Sequence, residues 1–205
     1  MTAAWTLSER RAALSRAERD GVDVLVVGGG IVGAGVLRDA ASRGLRALLI
    51  ERNDFASGTS SRSSKMVHGG LRYLAHGHLA ITREACRERD LLLRMNPNLV
   101  KPLPFLFRAW ENAKTPAWQV RAALGVYWGL ANFRRSARFR MLSAEEVTRY
   151  SRDFRQDGLR AAGLYHDAQV DDARLVVETI KSARRLGAEA ANHAEVVEFL
   201  RGADG

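Results

Sequence analysis

The chain has 205 residues, 46% of them hydrophobic, and a formal net charge of +9. Its apolar runs are too short for a membrane span, its first residues lack the apolar core of an export signal, and its single cysteine, Cys86, excludes an internal disulfide or a multi-cysteine metal site, so a cytoplasmic protein is expected. Lysine occurs only at Lys65, Lys101, Lys114 and Lys181, leaving arginine to carry a basic excess that suits anionic partners; with no aromatic RNA-binding signature and no helix-turn-helix pattern, no nucleic-acid role is expected.

Residues 1–20 read as a polar lead-in, in which Thr6 or Ser8 caps an Arg-rich helix. The stretch 23–51 organises the rest of the chain. An apolar run, Val24 to Val27, meets Gly28, Gly30 and Gly33 in a G-x-G-x-x-G arrangement. A helical pattern with Val36, Ala40 and Ala41 then ends at Arg43 and Gly44, and a second apolar run closes on Glu51. This is a β-α-β unit of about 30 residues, the context in which the glycine pattern signifies a dinucleotide site. Gly28 permits the sharp turn, Gly30 leaves room for a pyrophosphate, and Gly33 lets the helix lie close to the strand. Amide donors and the helix dipole face the phosphates, while Glu51 is placed to accept from an adenosine ribose.

The next segment is rich in hydroxyls, with Thr59, Ser60, Ser61, Ser63 and Ser64 preceding Lys65 and the run His68-Gly69-Gly70-Leu71-Arg72-Tyr73. Residues 79–95 predict a helix whose apolar face carries Ile81, Ala85, Leu92 and Met95, with Arg83, Glu84, Arg87 and Arg89 elsewhere. Cys86 is a packing residue of that helix. His76 and His78 have no third ligand in view, and a metal site is not expected. Pro102 and Pro104 place residues 102–107 on an edge strand or extended segment. Residues 110–140 hold Trp110, Trp118, Tyr127, Trp128 and the basic block Arg134, Arg135, Arg138 and Arg140. Two readings fit: a membrane-surface helix, or a packed helix followed by a basic loop. Ser143 and Glu146 form a capping box, residues 159–166 predict a strand, Asp171 caps a helix aligned on Val176, Ile180 and Ala183, and residues 190–200 predict a final strand.

Three motifs, GGGIVGAGVLRDAASRG at 28–44, GTSSRSSKMVHGGLRY at 58–73 and VDDARLV at 170–176, together closely resemble the FAD-dependent glycerol-3-phosphate dehydrogenases. The resemblance implies an α/β fold: a Rossmann-like FAD-binding domain over 21–101 and 165–205, with an interleaved α+β substrate or cap region over 102–164. It also implies an N-terminal portion of a longer protein, because the family's later glycine-lysine and Tyr-Arg motifs have no counterpart here. Cofactor-binding roles fall by resemblance on Gly28, Gly30, Gly33, Glu51, Arg52, Thr59, Ser60, Ser63, Ser64, Lys65 and Val196. Arg72 and Tyr73 fall in the substrate site, where a guanidinium fork suits a phosphate. His68 is the candidate base toward the substrate hydroxyl, an arrangement that a structural histidine bonded to a carbonyl would equally match.

The implied reaction is oxidation of sn-glycerol 3-phosphate to dihydroxyacetone phosphate. The C2 hydride passes to flavin N5 and electrons pass to membrane quinone, so peripheral contact with the inner face of the cytoplasmic membrane is compatible with the resemblance. A related flavin oxidase of amino or hydroxy acids, a nicotinamide dehydrogenase, and a flavin-binding fragment without turnover are the alternatives.

Overall fold

Four consecutive apolar residues without a helical partner pattern favour an extended strand, and in the computed structural model Val24–Val27 is that strand. The structure describes residues 6–111, 115–150 and 157–201. In chain order these form α1 (Leu7–Asp20), β1 (Val24–Val27), α2 (Ile31–Ser42), β2 (Ala47–Ile50), β3 (Met66–Val67), α3 (Leu71–Ala75), α4 (Leu79–Met95) and β4 (Val100–Trp110). They continue with α5 (Ala117–Leu130), β5 (Arg140–Ser143), α6 (Ala144–Tyr150), β6 (Leu159–Val170), α7 (Asp172–Arg185) and β7 (Glu189–Ala191).

The chain divides into two units, one made of residues 1–64 and 171–205, the other of Lys65–Val170. Sequence boundaries near 101 and 164 thus differ from those of the structure, because β3 at Met66–Val67 already pairs with β6, and β6 runs on to Val170 along β4. In the first unit β1, β2 and β7 form a parallel sheet in that order. The central strand, β2, buries Ala47, Leu48 and Leu49, as a strand covered on both faces must. Leu37, Ala40, Val176, Ile180 and Ala183 from α2 and α7 complete this core with Val26 and Phe55. Thr6 caps α1 in a capping box with Glu9, and Asp171 caps α7 by accepting the Arg174 N–H at 3.1 Å.

In the second unit β6 is the hub: β4 lies antiparallel along one side, and β3 and β5 pair with it on the other. Pro102 and Pro104, which cannot donate to a ladder, sit on β4, a strand whose only described strand partner is β6. Val120, Leu124 and Tyr127 are the buried residues of α5, so it packs as a helix of this unit, with Trp118 left exposed. Ser143 and Glu146 bond reciprocally at the start of α6.

Two expectations are corrected. First, the buried face of α4 is Thr82, Cys86, Arg89 and Asp90, whereas Ile81 and Met95 are exposed. The helical period holds but the apolar stripe marks the wrong face, because the buried face is polar: Thr82, Cys86, Arg89 and Asp90 Oδ1 are hydrogen-bonded, while Asp90 Oδ2 makes no hydrogen bond among the described residues and faces Arg134 Nε at 3.6 Å. Second, regular strand at 190–200 is limited to β7. His193 adopts φ +50°, its N–H bonds to the Asn53 carbonyl, and the Ala194 N–H bonds to the Glu51 carbonyl, so the chain turns away from the ladder. Val197, Phe199 and Leu200 are exposed, without a strand partner among the described residues. The turn expected at 202–205 lies outside the described residues.

Candidate functional site

The first unit gathers the glycine turn, Glu51 and Ser60 at the ends of β1 and β2. Gly28 has φ +108°, open to glycine at little cost, and its N–H donates to the Ile50 carbonyl at 2.8 Å. The turn delivers the chain into α2 from Gly30, an N-cap with no side-chain acceptor. The acceptor comes instead from Ser60, in the 3₁₀ turn Thr59–Ser61, whose Oγ takes the Ile31 N–H at 2.9 Å. The N–H groups of Val32 and Gly33, in the first turn of α2, have no acceptor among the described residues. Gly33 packs so closely that a Cβ there would overlap the Gly28 carbonyl oxygen and lie 3.3 Å from Val26 Cγ1.

Glu51 is held by two main-chain donors, Gly29 N–H to Oε2 at 2.7 Å and Asn53 N–H to Oε1 at 2.8 Å. Each oxygen keeps a lone pair for a further donor, such as a ribose hydroxyl. Gly29 is the residue that the G-x-G-x-x-G template passes over as an x position. A Cβ there would meet Phe55 Cδ1 at 2.8 Å and Glu51 Cβ at 2.9 Å, so this glycine makes room for the Glu51 side chain. Open first-turn amides above a glycine turn, with a carboxylate fixed beside them, fit the pyrophosphate and ribose of a dinucleotide such as FAD.

The other predicted residues are distributed more loosely. The Ser63 hydroxyl donates to Asp172 Oδ2 at 2.7 Å, which joins the hydroxyl-rich segment to the start of α7. Asp172 therefore does work separate from that of its neighbour Asp171, the helix cap. Arg52, Thr59 and Ser64 are exposed, and Val196 is half-buried in the irregular segment after β7.

In the second unit, Lys65 is exposed with φ +57°. His68, Arg72 and Tyr73 are exposed and close in sequence, and the His68 and Tyr73 rings lie 6.3 Å apart between centroids. Between them Gly69 and Gly70 are buried, and Gly70 takes φ +75° as the chain enters α3.

Beneath this segment lies a polar cluster that sequence periodicity missed. Arg89, fully buried, donates from Nη1 to Asp167 Oδ1 at 2.6 Å and to the Tyr127 hydroxyl at 3.0 Å, and from Nη2 to Asp90 Oδ1 at 3.1 Å. The Tyr127 hydroxyl donates to Asp167 Oδ1 at 2.6 Å, and the Ser136 hydroxyl to Asp90 Oδ1 at 3.0 Å. Burial and then the Asp167 charge push Tyr127 well above the ordinary phenol range, and the same two causes push Tyr165 up to about 12. For Arg89 burial opposes the charge, but Tyr127, Asp167 and Asp90 outweigh it and keep the guanidinium ionised. A cleft of about 710 Å³ on the same unit, lined by Arg83, Arg87, Asp90, Asn132 and Arg134 among others, includes none of the sequence-predicted site residues.

A parallel β-α-β turn of this geometry with a fixed acidic residue at its mouth fits the dinucleotide-binding class of α/β proteins. The model of the FAD dependent oxidoreductase family matches residues 23–205, and the chain belongs to that family. Over 199 residues it is 40% identical to an alpha-glycerophosphate oxidase of Streptococcus pyogenes, a match covering 96% of this chain and 32% of that protein. Over 192 residues it is 39% identical to the aerobic glycerol-3-phosphate dehydrogenase of Bacillus subtilis, covering 94% of this chain and 35% of that one. The solved structure of the glycerol-3-phosphate dehydrogenase from Bacillus halodurans complexed with FAD superposes with a TM-score of 0.70 at 29% identity, over 95% of this chain and 31% of that chain. The chain thus spans about a third of the length of these relatives.

Proposed function

We propose that this chain is the FAD-binding portion of an enzyme that oxidises sn-glycerol 3-phosphate to dihydroxyacetone phosphate. The observation that carries the reading is the Glu51 carboxylate, held by the Gly29 and Asn53 amides beside the open first turn of α2. The substrate is supported by the names of the relatives, which divide between oxidase and dehydrogenase over one substrate. When bound, FAD supplies N5 as the acceptor of the C2 hydride.

The chain's own residues supply the rest. Val32 and Gly33 amides donate to the pyrophosphate and Glu51 accepts from the ribose, with Arg52, Thr59, Ser60, Ser63, Ser64, Lys65 and Val196 along the cofactor. Arg72 presents a bidentate fork to the substrate phosphate and Tyr73 a directional hydroxyl. His68 takes the proton of the C2 hydroxyl, so that alkoxide character develops as the hydride leaves. Membrane quinone is the electron acceptor in this reading. The exposed Trp118 of α5 and the arginines Arg121, Arg135 and Arg138 are the surface that meets anionic headgroups at the inner face of the cytoplasmic membrane.

The test is the visible spectrum of the FAD-reconstituted chain before and after anaerobic addition of sn-glycerol 3-phosphate. Bleaching of the flavin band is expected, and a bound flavin that stays oxidised would overturn the reading as an activity of these residues. Quinone and oxygen are then told apart by which of them restores the oxidised spectrum faster.

A further inference from the structure

We propose that Asp167, held by Arg89 and Tyr127, is a positioning residue that sets the segment carrying His68, Arg72 and Tyr73 for substrate binding. The proposal rests on the glycerol 3-phosphate reading above. Leu71 and Leu74 pack the segment against the core of the unit, but apolar packing does not fix where the chain turns at Gly69 and Gly70. Among the described residues the side chains of His68, Arg72 and Tyr73 make no hydrogen bond or ion pair, and all three are exposed. Their placement therefore has to come from the backbone.

That backbone is anchored at successive points on the second unit. Met66 and Val67 pair with Gln169 and Ala168 of β6. Two residues on, the Gly69 N–H donates to Asp167 Oδ1 at 3.0 Å. Gly70 then turns through φ +75°, and α3 begins at Leu71 with Arg72 and Tyr73 in its first turn. The contact at Gly69 is tight as well as polar, since a Cβ there would overlap both the Tyr127 hydroxyl and Cys86 Sγ. Asp167 Oδ1 thus receives three donors, the Gly69 amide, the Tyr127 hydroxyl and the Arg89 guanidinium, at 3.0, 2.6 and 2.6 Å.

A cluster of this kind is a poor device for stability alone, because packed apolar side chains of similar volume often do as well as a buried ion pair. What apolar groups cannot do is accept the Gly69 N–H and dictate where the chain turns. Arg89 and Tyr127 hold the carboxylate from two other elements, α4 and α5, so the acceptor cannot swing away from Gly69. The consequence is a pre-set position for Arg72 and Tyr73 before substrate arrives, which lowers the ordering cost of binding.

The experiment uses the full FAD-reconstituted chain with Tyr127→Phe as the leading variant and Asp167→Asn as the second. Tyr127→Phe keeps the ring and removes one donor, so the unit stays folded even where Asp167→Asn leaves Arg89 with Asp90 as its one remaining carboxylate partner among the described residues. Amide hydrogen exchange is followed in the peptide spanning 66–74, alongside anaerobic flavin reduction against sn-glycerol 3-phosphate concentration. The expected result is exchange roughly tenfold faster in 66–74, with peptides from β6 and α4 changed less than about twofold. With it, the half-saturating substrate concentration rises about tenfold while the limiting reduction rate and FAD affinity hold within about threefold. Exchange in 66–74 unchanged in Tyr127→Phe, or accelerated equally across the whole unit, would overturn the proposal, as would an unchanged half-saturating concentration. Should the parent chain's bound flavin resist reduction while the exchange result holds, the substrate reading fails and the anchoring of 66–74 stands by itself.

Discussion

Replacing Gly33 by alanine sets two opposed terms against each other on one helix. Both Gly33 and Gly35 lie in α2, and a Gly→Ala change inside a helix ordinarily gains up to about 1 kcal/mol by propensity. A Cβ at Gly35 meets nothing within 4 Å, so Gly35→Ala keeps that gain. At Gly33 the new carbon would fall well inside 3.0 Å of the Gly28 carbonyl oxygen, and 3.2 Å from the carbonyl carbon. The obstacle is backbone, which cannot rotate aside, so relief requires α2 to lift from β1. Lifting it loosens Ala34 and Leu37, both fully buried against that sheet. Overpacking of this kind costs about 1–3 kcal/mol or somewhat more, which exceeds the propensity gain. Net of that gain, and at about 2–4 °C per kcal/mol for a chain of this size, Gly33→Ala should lower the thermal midpoint by up to about 8 °C, while Gly35→Ala raises it by about 1–4 °C. Far-UV circular dichroism melts of the two variants and the parent measure the difference. If Gly33→Ala melts at or above the parent temperature, the close approach of α2 to Gly28 is not what this glycine serves.

Three further outcomes are expected. Glu51→Gln replaces one carboxylate oxygen by an amide group that cannot accept from Gly29 or Asn53, and should weaken FAD at least about tenfold in a fluorescence titration; equal affinity would remove Glu51 from the site. Asp171→Ala deletes the cap of α7 and should cost about 1 kcal/mol in chemical denaturation. Alkaline pH should destabilise the second unit. Tyr165 holds its proton to about 12 in the fold against an ordinary 10.0, and Tyr127 shifts the same way, so above pH 10 the unfolded chain loses protons that the folded chain keeps. Stability is full below pH 10 and falls between pH 10 and 12. Denaturation midpoints flat across that window would show both phenols to be freely solvated.

The elements from Val24 to Glu51 were legible because the signals that start and stop them are local. Gly28 answers a turn that needs positive φ, Gly33 a close helix-strand approach, and α2 ends where Arg43 and Gly44 end it. The caps at Thr6, Ser143 and Asp171 were equally readable, since each cap bonds an amide three residues away. Gly29 escaped notice because its role is to make room for Glu51 and Phe55, which approach only once β1 and β2 lie side by side. For α4 the sequence determined a helix of the right length and nothing reliable about which face is inside. Hydrophobic periodicity equates buried with apolar, and here the buried face holds Arg89 and Asp90. Only tertiary structure could bring Asp167 from β6 and Tyr127 from α5 to meet them, and a buried charge is tolerable only where such partners converge. The same limit applies to 190–200, where β propensity was present but a strand exists only as far as a neighbouring strand pairs with it.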